Sequence, residues 1–248
     1  MSSTRGRLAS PAPYFEAIAY HDHLAAGWDQ RYRRGGFKRR ADFFKNKVLP
    51  LVRPGGDWLD VGCGTGYFSR LLAERGANVT GVDGSAEMIA AAKSFAADTA
   101  EPRYTMPRFA VQNIESLGDQ AERFDGVICL NVIEYLTLPE SRFADLAAAL
   151  RPGGTLVVSA PNGRSLVRTL QLAVRSVLKP LGRSAFAYLD SSSNAWTRED
   201  LAAMAALNGL EWVVTLGFDP LVPSLVHALA QPSLLYLVCR KPAGGEAP

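Results

Sequence analysis

The chain has few residues of the kinds that hold metals or cross-link a fold. Its 248 residues include three histidines, His21, His23 and His227, and three cysteines, Cys63, Cys129 and Cys239. No His, Asp and Glu stand at metal-ligand spacing and no CxxC pair occurs, so the metal assignment is none and no disulfide framework is expected. An odd number of cysteines inside or beside apolar runs reads as reduced, buried thiols in a cytoplasmic protein. A run of about 18 uninterrupted apolar residues, the minimum for a membrane span, is also missing. The most apolar stretch, from Leu221 to Val238, is broken by Pro223, His227, Gln231 and Pro232. Residues 1–14 are polar, rich in Ser, Pro and Arg, and lack the apolar centre of a signal peptide; they read as a disordered leader. Charge of one sign is not in excess: 27 basic side chains face 24 acidic ones, a net +3. That excludes the concentrated basic face of a nucleic-acid binder, and no nucleic-acid partner is expected. Internal repeats and low-complexity segments are absent.

What is present is alternation. From Trp58 onward, short apolar runs exchange with segments of helical period, which predicts crossover units and a mainly parallel sheet. The expected strands are 58–61, 79–82, 109–111, 126–130, 155–160, 211–216 and 234–240. Phe68, Leu71 and Leu72 mark one helix face, Met88, Ala92 and Phe95 another, and Phe143, Leu146, Ala147 and Leu150 a third. Arg151-Pro-Gly-Gly154 is expected to end that third helix, because proline cannot continue the ladder. The last helix is expected to start at Thr197, capped with Asp200, and to stop at Asn208-Gly209.

Asp60-Val-Gly-Cys-Gly-Thr-Gly66 follows a strand and opens a helix, where glycines let a ligand approach the backbone. A dinucleotide fingerprint wants a small residue at the sixth position, but Tyr67 stands there. Asp60 at the loop mouth repels a pyrophosphate and attracts a ligand carrying ammonium and sulfonium charge. Gly81-Val-Asp83 then places a carboxylate at the end of the second strand, where it can accept hydrogen bonds from two ribose hydroxyls. Ser85 is a plausible helix cap, and Met88 can lie against a flat base or fill core. Asn113 offers a side-chain oxygen and Ile114 a backbone N–H to an adenine edge.

This order, continued by Phe124-Asp-Gly-Val-Ile-Cys129 and Leu150-Arg-Pro-Gly-Gly-Thr155, resembles the class I S-adenosylmethionine (SAM) dependent methyltransferases of the small-molecule type, which include quinone-pathway O-methyltransferases. The resemblance covers roughly residues 58–160. It implies an α/β fold, a Rossmann-like three-layer sandwich with a seven-stranded, mostly parallel sheet and a reversed final β-hairpin. It implies SAM as cofactor and S-adenosylhomocysteine as product. Family roles fall on Asp60, Gly62, Cys63, Gly64 and Gly66 at the methionine moiety, Asp83 and Gly84 at the ribose, Met88, Asn113 and Ile114 at the adenine, and the Leu130 carbonyl at the ammonium. Two positions depart from the commonest pattern. Asn113 replaces an Asp, and Tyr135 after Glu134 replaces the histidine of many relatives.

Two segments stand outside the alternation: an N-terminal helical cap over 15–51 and a helical lid insertion over 161–196 within a domain of 52–248. A connection of about 35 residues is far longer than an ordinary α/β loop and marks a binding element. His21 is a candidate base, with Tyr32 and Asn131 as further catalytic candidates; Tyr20, Trp28 and Tyr32 can close over a flat ligand or pack on the sheet. In the insertion, Arg164, Arg168, Arg175 and Lys179 fall on one helical face and Leu166, Leu170, Ala173, Val174 and Val177 on the other. Three readings stay open for this helix: a lid whose apolar face covers the acceptor, a peripheral membrane contact through 164–179, or a solvated surface helix. Arg33-Arg34 and Lys38-Arg39-Arg40 can bind an acidic acceptor or simply face solvent. The expected activity is methyl transfer to an O or N atom of a small, largely apolar or heteroaromatic metabolite, by a monomer or homodimer. The alternatives are a catalytically silent SAM-binding partner, a methyltransferase of a membrane-associated lipid or quinone, and a nicotinamide-dependent reductase.

Overall fold

The computed structural model describes residues 13–97, 103–114, 117, 121–183, 186–220 and 231–244. Residues 1–12 of the expected leader, and His227, lie outside the described residues. Seven strands, β1 (Asp57–Val61), β2 (Asn78–Asp83), β3 (Arg108–Val111), β4 (Phe124–Leu130), β5 (Leu150–Pro161), β6 (Glu211–Phe218) and β7 (Leu234–Arg240), form one sheet in the order β3-β2-β1-β4-β5-β7-β6. The first five run parallel, and β7 lies antiparallel between β5 and β6. The mainly parallel α/β sheet is the one the alternation predicts, and the reversed final hairpin is the one the family resemblance implies.

Eight α-helices accompany the sheet among the described residues: α1 (Pro13–Asp22), α2 (Trp28–Arg31), α3 (Gly35–Phe43), α4 (Tyr67–Ala73), α5 (Ala86–Ala97), α6 (Pro139–Ala148), α7 (Leu166–Leu178) and α8 (Arg198–Leu207). Strand side chains alternate between faces, and the core divides accordingly. Leu59, Val61, Val127, Cys129, Leu156, Val158, Leu235 and Leu237 pack with Phe143 and Leu146 of α6 and Leu201 of α8. Trp58, Ile128, Val157, Tyr236 and Val238 pack on the opposite face with Phe68, Leu71 and Leu72 of α4 and with Phe44 and Val48. Three layers follow.

Several expected boundaries change. The helix begins at Pro13, so Tyr14 belongs to α1 and not to a leader; its ring is buried and its hydroxyl accepts the Ile114 N–H at 3.1 Å. Leu150 is the first residue of β5 rather than the end of α6, and Arg151-Pro-Gly-Gly154 lies within that strand, with Gly153 at φ +80° and a register shift opposite Phe124 and Gly126. The turn is absorbed as an irregular strand start because Arg151 ion-pairs with Asp125 at 2.9 Å and Asp57 at 3.1 Å across the neighbouring strands. At Thr197 both hydrogen bonds of the capping box with Asp200 are present, and α8 gives way to Asn208 and Gly209 as its sequence predicts. All three cysteines are buried and free. Among the described residues no helix is long and apolar enough to cross a membrane, and no cluster of three metal-ligating side chains occurs.

Candidate active site

The site lies at the carboxyl ends of the parallel strands, where an open α/β sheet leaves a crevice at the reversal of strand order between β1 and β4. The loop after β1 carries Gly62, Gly64 and Gly66 at φ +73°, +52° and +76°, all in the left-handed region that favours glycine. A Cβ on Gly62 would stand 2.2 Å from Val132 Cγ2. A Cβ on Gly64 would meet only Trp28 Nε1 at 3.9 Å and Met88 Sδ at 4.0 Å, so it would project into the cavity. The loop is pinned from below: the Gly62 and Cys63 N–H groups donate to the Val82 carbonyl at 2.8 and 3.0 Å. The Gly64 N–H donates to Asp83 Oδ2 at 2.8 Å, and the other Asp83 oxygen accepts from the Ser85 N–H at 2.9 Å. Ser85 caps α5 by accepting the Met88 N–H at 3.0 Å.

Two carboxyls at this end are taken out of water. Burial pushes Asp60 up to about 7, although the Ser69 hydroxyl donates to it at 2.5 Å. Asp83 is likewise raised by burial, against the backbone donors of Ser85 and Gly64. At about 7, Asp60 is responsive to a cationic ligand near neutral pH.

One cavity of about 410 Å³ collects most of the expected site residues: His21, Tyr32, Asp60, Gly62, Cys63, Gly64, Asp83, Met88, Ile114, Leu130 and Asn131 line it. Gly66, Gly84 and Asn113 are not among its lining residues. Gly84 lies beneath α1, where a Cβ would meet the Tyr14 hydroxyl at 2.4 Å. Because Tyr14 takes the Ile114 N–H, the donor expected to face an adenine is engaged within the chain.

The N-terminal segment covers the cavity with aromatic rings. His21 stands edge-on to Tyr20, Trp28 and Tyr135 with centroids 5.3, 5.1 and 5.9 Å away. Its Nδ1 lies 2.7 Å from the Ala17 carbonyl, which can only accept, so Nδ1 carries the proton and Nε2 is left as an acceptor. Burial lowers its pKa and keeps the ring neutral. His23, in contrast, is exposed. Tyr32 stacks on Tyr67 at 4.2 Å and meets Phe37 and Phe68 edge-on; Tyr67 thus fills with aromatic packing the place where a dinucleotide fold needs a small residue.

Beyond β4 the chain turns through Asn131 at φ +59°, an uncommon conformation for a non-glycine residue that Asn tolerates best. Ser159 fixes it, accepting the Asn131 N–H and donating to its Oδ1, both at 2.9 Å. Glu134 follows in a short 3-10 turn, 2% exposed, lining the cavity with Oε2 buried and unpartnered. Burial pushes this carboxyl up to about 7, opposed by its own backbone N–H and by Arg40, Arg168 and Asn131. In the sequence Glu134 stands out only as the neighbour of Tyr135; its signal is an acid four residues past the end of the fourth strand.

The insertion helix α7 is oriented opposite to a lid with an apolar underside. Leu166, Leu170 and Val177 are 63%, 64% and 66% exposed, while Arg168 and Gln171 line the cavity. The inner face is anchored by polar contacts: Arg175 pairs with Asp190 at 2.6 Å, and Arg168 Nη2 donates to the Ser192 carbonyl and hydroxyl, both at 3.0 Å.

The profile of a family described as a methyltransferase domain matches residues 30–216, three quarters of the chain. The chain belongs to the methyltransferase-domain family. A ubiquinone biosynthesis O-methyltransferase of Coxiella burnetii (strain Dugway 5J108-111) is 40% identical over 104 residues, 42% of this chain and 43% of that protein. One of Actinobacillus pleuropneumoniae is 34% identical over 157 residues, 59% of this chain and 64% of that protein. Alignment thus reaches less than two thirds of either relative's length. Among solved structures, a magnesium protoporphyrin IX methyltransferase from Synechocystis PCC 6803 with bound SAM aligns with TM-score 0.65 at 19% identity, over 95% of this chain and 100% of that one. A methyltransferase from Haloferax volcanii, in complex with its Trm112 activator, aligns with TM-score 0.62 at 20% identity, over 90% and 97%. These structural likenesses concern the fold. Within this methyltransferase-domain chain, the residues present fit SAM: Gly64 leaves a cradle that a Cβ would fill, and the buried Asp60 and the half-buried Asp83, both lining the cavity, suit a cation and a ribose.

Proposed function

We propose that the chain transfers a methyl group from SAM to an oxygen atom of a small, largely apolar acceptor. The observation that carries this reading is the single cavity that joins the glycine loop, Asp60 and Asp83 to a second half lined by Phe37, Phe218, Pro220 and Leu234, with Glu134 and three arginines at hand. SAM, when bound, supplies a methyl carbon activated by its sulfonium. Asp60, Gly62, Cys63, Gly64 and Gly66 hold the methionine end, with the Leu130 carbonyl at its ammonium. Asp83 holds the ribose, and Met88 and Ile114 the base, the Ile114 N–H once Tyr14 releases it; Gly84 and Asn113 act from behind the cavity wall. The chain's own contribution is positioning and exclusion of water, which can supply most of the acceleration of an in-line displacement. His21 Nε2 is the proton acceptor for the acceptor hydroxyl, Asn131 orients the acceptor at the mouth of β4, and Tyr32 holds the aromatic cover in place. The buried free thiols suit the reducing cytoplasm.

Calorimetric titration with S-adenosylhomocysteine, with NAD in parallel, tests the cofactor. Binding of the first alone supports the reading, and binding of NAD alone overturns it. Product release with an acceptor then separates an enzyme from a silent SAM-binding partner.

A second reading concerns where the acceptor resides. The outward apolar stripe of α7, with Arg164 and Lys179 exposed at its ends, is suited to rest on an anionic lipid surface. Ubiquinone biosynthesis in the relatives' names agrees with an acceptor dissolved in lipid.

A further inference from the structure

The acceptor half of the cavity holds more positive charge than its own carboxyl balances. Of the five basic residues in the two runs Arg33-Arg34 and Lys38-Arg39-Arg40, four are exposed, and only Arg40 turns inward to line the cavity. Its Nε donates to the Tyr236 hydroxyl at 3.2 Å and its guanidinium lies 5.5 Å from the Phe68 ring centre. From the other side comes Arg168 of α7, held by Ser192 through Nη2 alone. Neither arginine is in an ion pair within 4.0 Å among the described residues, whereas Arg175, on the same inner face of α7, is paired with Asp190. Between their fields sits Glu134, which feels both guanidinium groups and keeps Oε2 buried with no partner. Two permanent cations against one carboxyl leave at least one positive charge uncompensated in a half-enclosed space, a costly arrangement unless a ligand completes it. Guanidinium groups are the side chains best matched to carboxylates.

We infer that Arg40 and Arg168 form an anion subsite that holds a carboxylate on the acceptor, so that the enzyme selects an acidic rather than a neutral small molecule. This rests on the reading above in placing the acceptor in this half of the cavity. The apolar walls made by Phe37, Phe218, Pro220 and Leu234 take the body of the molecule. Arg40 comes from the N-terminal segment and Arg168 from the insertion, so the two additions to the common fold each give one donor to the same group.

The test uses benzoate and benzamide, matched in shape and different in charge, titrated calorimetrically into the whole protein with and without S-adenosylhomocysteine. Benzoate is expected to bind at least about tenfold tighter than benzamide, and Arg168→Gln to cut that preference to about threefold or less without changing S-adenosylhomocysteine affinity. Arg168→Lys, which keeps the charge, is expected to retain part of the preference. Arg40→Gln gives the same loss if it folds; if it does not, Arg168→Gln carries the test. Benzoate binding no tighter than benzamide, including no binding of either up to about 10 mM, overturns the subsite. So does a folded Arg168→Gln protein with the full preference. Loss of S-adenosylhomocysteine binding in the unmodified protein would instead count against the cofactor reading, and the benzoate comparison in the absence of that ligand is read independently of it.

Discussion

At the scale of single residues, the site rests on backbone groups as much as on side chains. Asp83 accepts the Gly64 and Ser85 N–H groups and thereby ties the glycine loop to the start of α5. Asp83→Ala should leave the circular dichroism spectrum unchanged and weaken S-adenosylhomocysteine binding by about tenfold or more, the scale of one charge-assisted hydrogen bond; unchanged affinity in a folded variant would remove Asp83 from the ribose. Tyr14 acts in the other direction. Its hydroxyl occupies the Ile114 N–H, so an incoming base must displace it. Tyr14→Phe should tighten S-adenosylhomocysteine binding, with the gain seen in calorimetry and absent if the Tyr14 contact persists in the bound state. The glycine loop, Asp60 and Asp83 were legible because a motif fixes residue types at short spacing. Tyr14 was not, and within the basic run 38–40 the inward turn of Arg40 was not, because their partners, Ile114 and Tyr236, lie far along the chain and only the folded sheet brings them together.

At the scale of elements, periodicity identified the strands, the main helices and the buried faces of α4 and α6, but not which way α7 faces. The alternation of Leu59, Val61 and Trp58 across β1 already assigns them to opposite layers. For α7 the division into apolar and basic sides was visible in the sequence, yet the side turned to the protein carries Arg168 and Arg175 together with Val174, because Asp190 and Ser192 supply partners that the preceding residues do not reveal. Exposed Leu166, Leu170 and Val177 therefore contribute little to folding. Leu170→Gln should leave the unfolding free energy from urea titration within about 0.5 kcal/mol of the parent and reduce sedimentation with phosphatidylglycerol vesicles, while neither protein sediments with phosphatidylcholine alone. A parent protein that ignores both vesicle types would sink the membrane reading of this helix.

At the scale of the whole molecule, the mainly parallel sheet follows from the alternation and the reversed hairpin from the family resemblance, whereas the cavity depends on two non-repeating segments meeting over the sheet. Forming that cavity removes Asp60 and Glu134 from water, and each is raised by burial to about 7, from 3.8 and 4.5. A carboxyl raised in the folded state binds its proton more tightly there than in the unfolded chain, so its stabilising contribution is complete below its unfolded pKa and is lost as pH rises through about 7. His21, whose pKa is lowered, works oppositely, gaining stability as pH rises to its unfolded value. The surface carboxyls Asp125, Asp190, Glu199 and Asp200 are lowered and act only in the acid range. Comparing the parent with Asp60→Asn/Glu134→Gln cancels the shared contributions of His21 and the surface groups. Melting temperatures measured without ligand between about pH 5 and pH 8 should fall more steeply for the parent, and the double variant should be the more stable of the two at the alkaline end. Parallel curves would mean that water reaches these carboxyls in the free protein. A steeper parent curve that flattens when S-adenosylhomocysteine is added would show that the ligand's ammonium offsets what burial costs Asp60, making the empty cavity less stable at neutral pH because it is shaped for a cation.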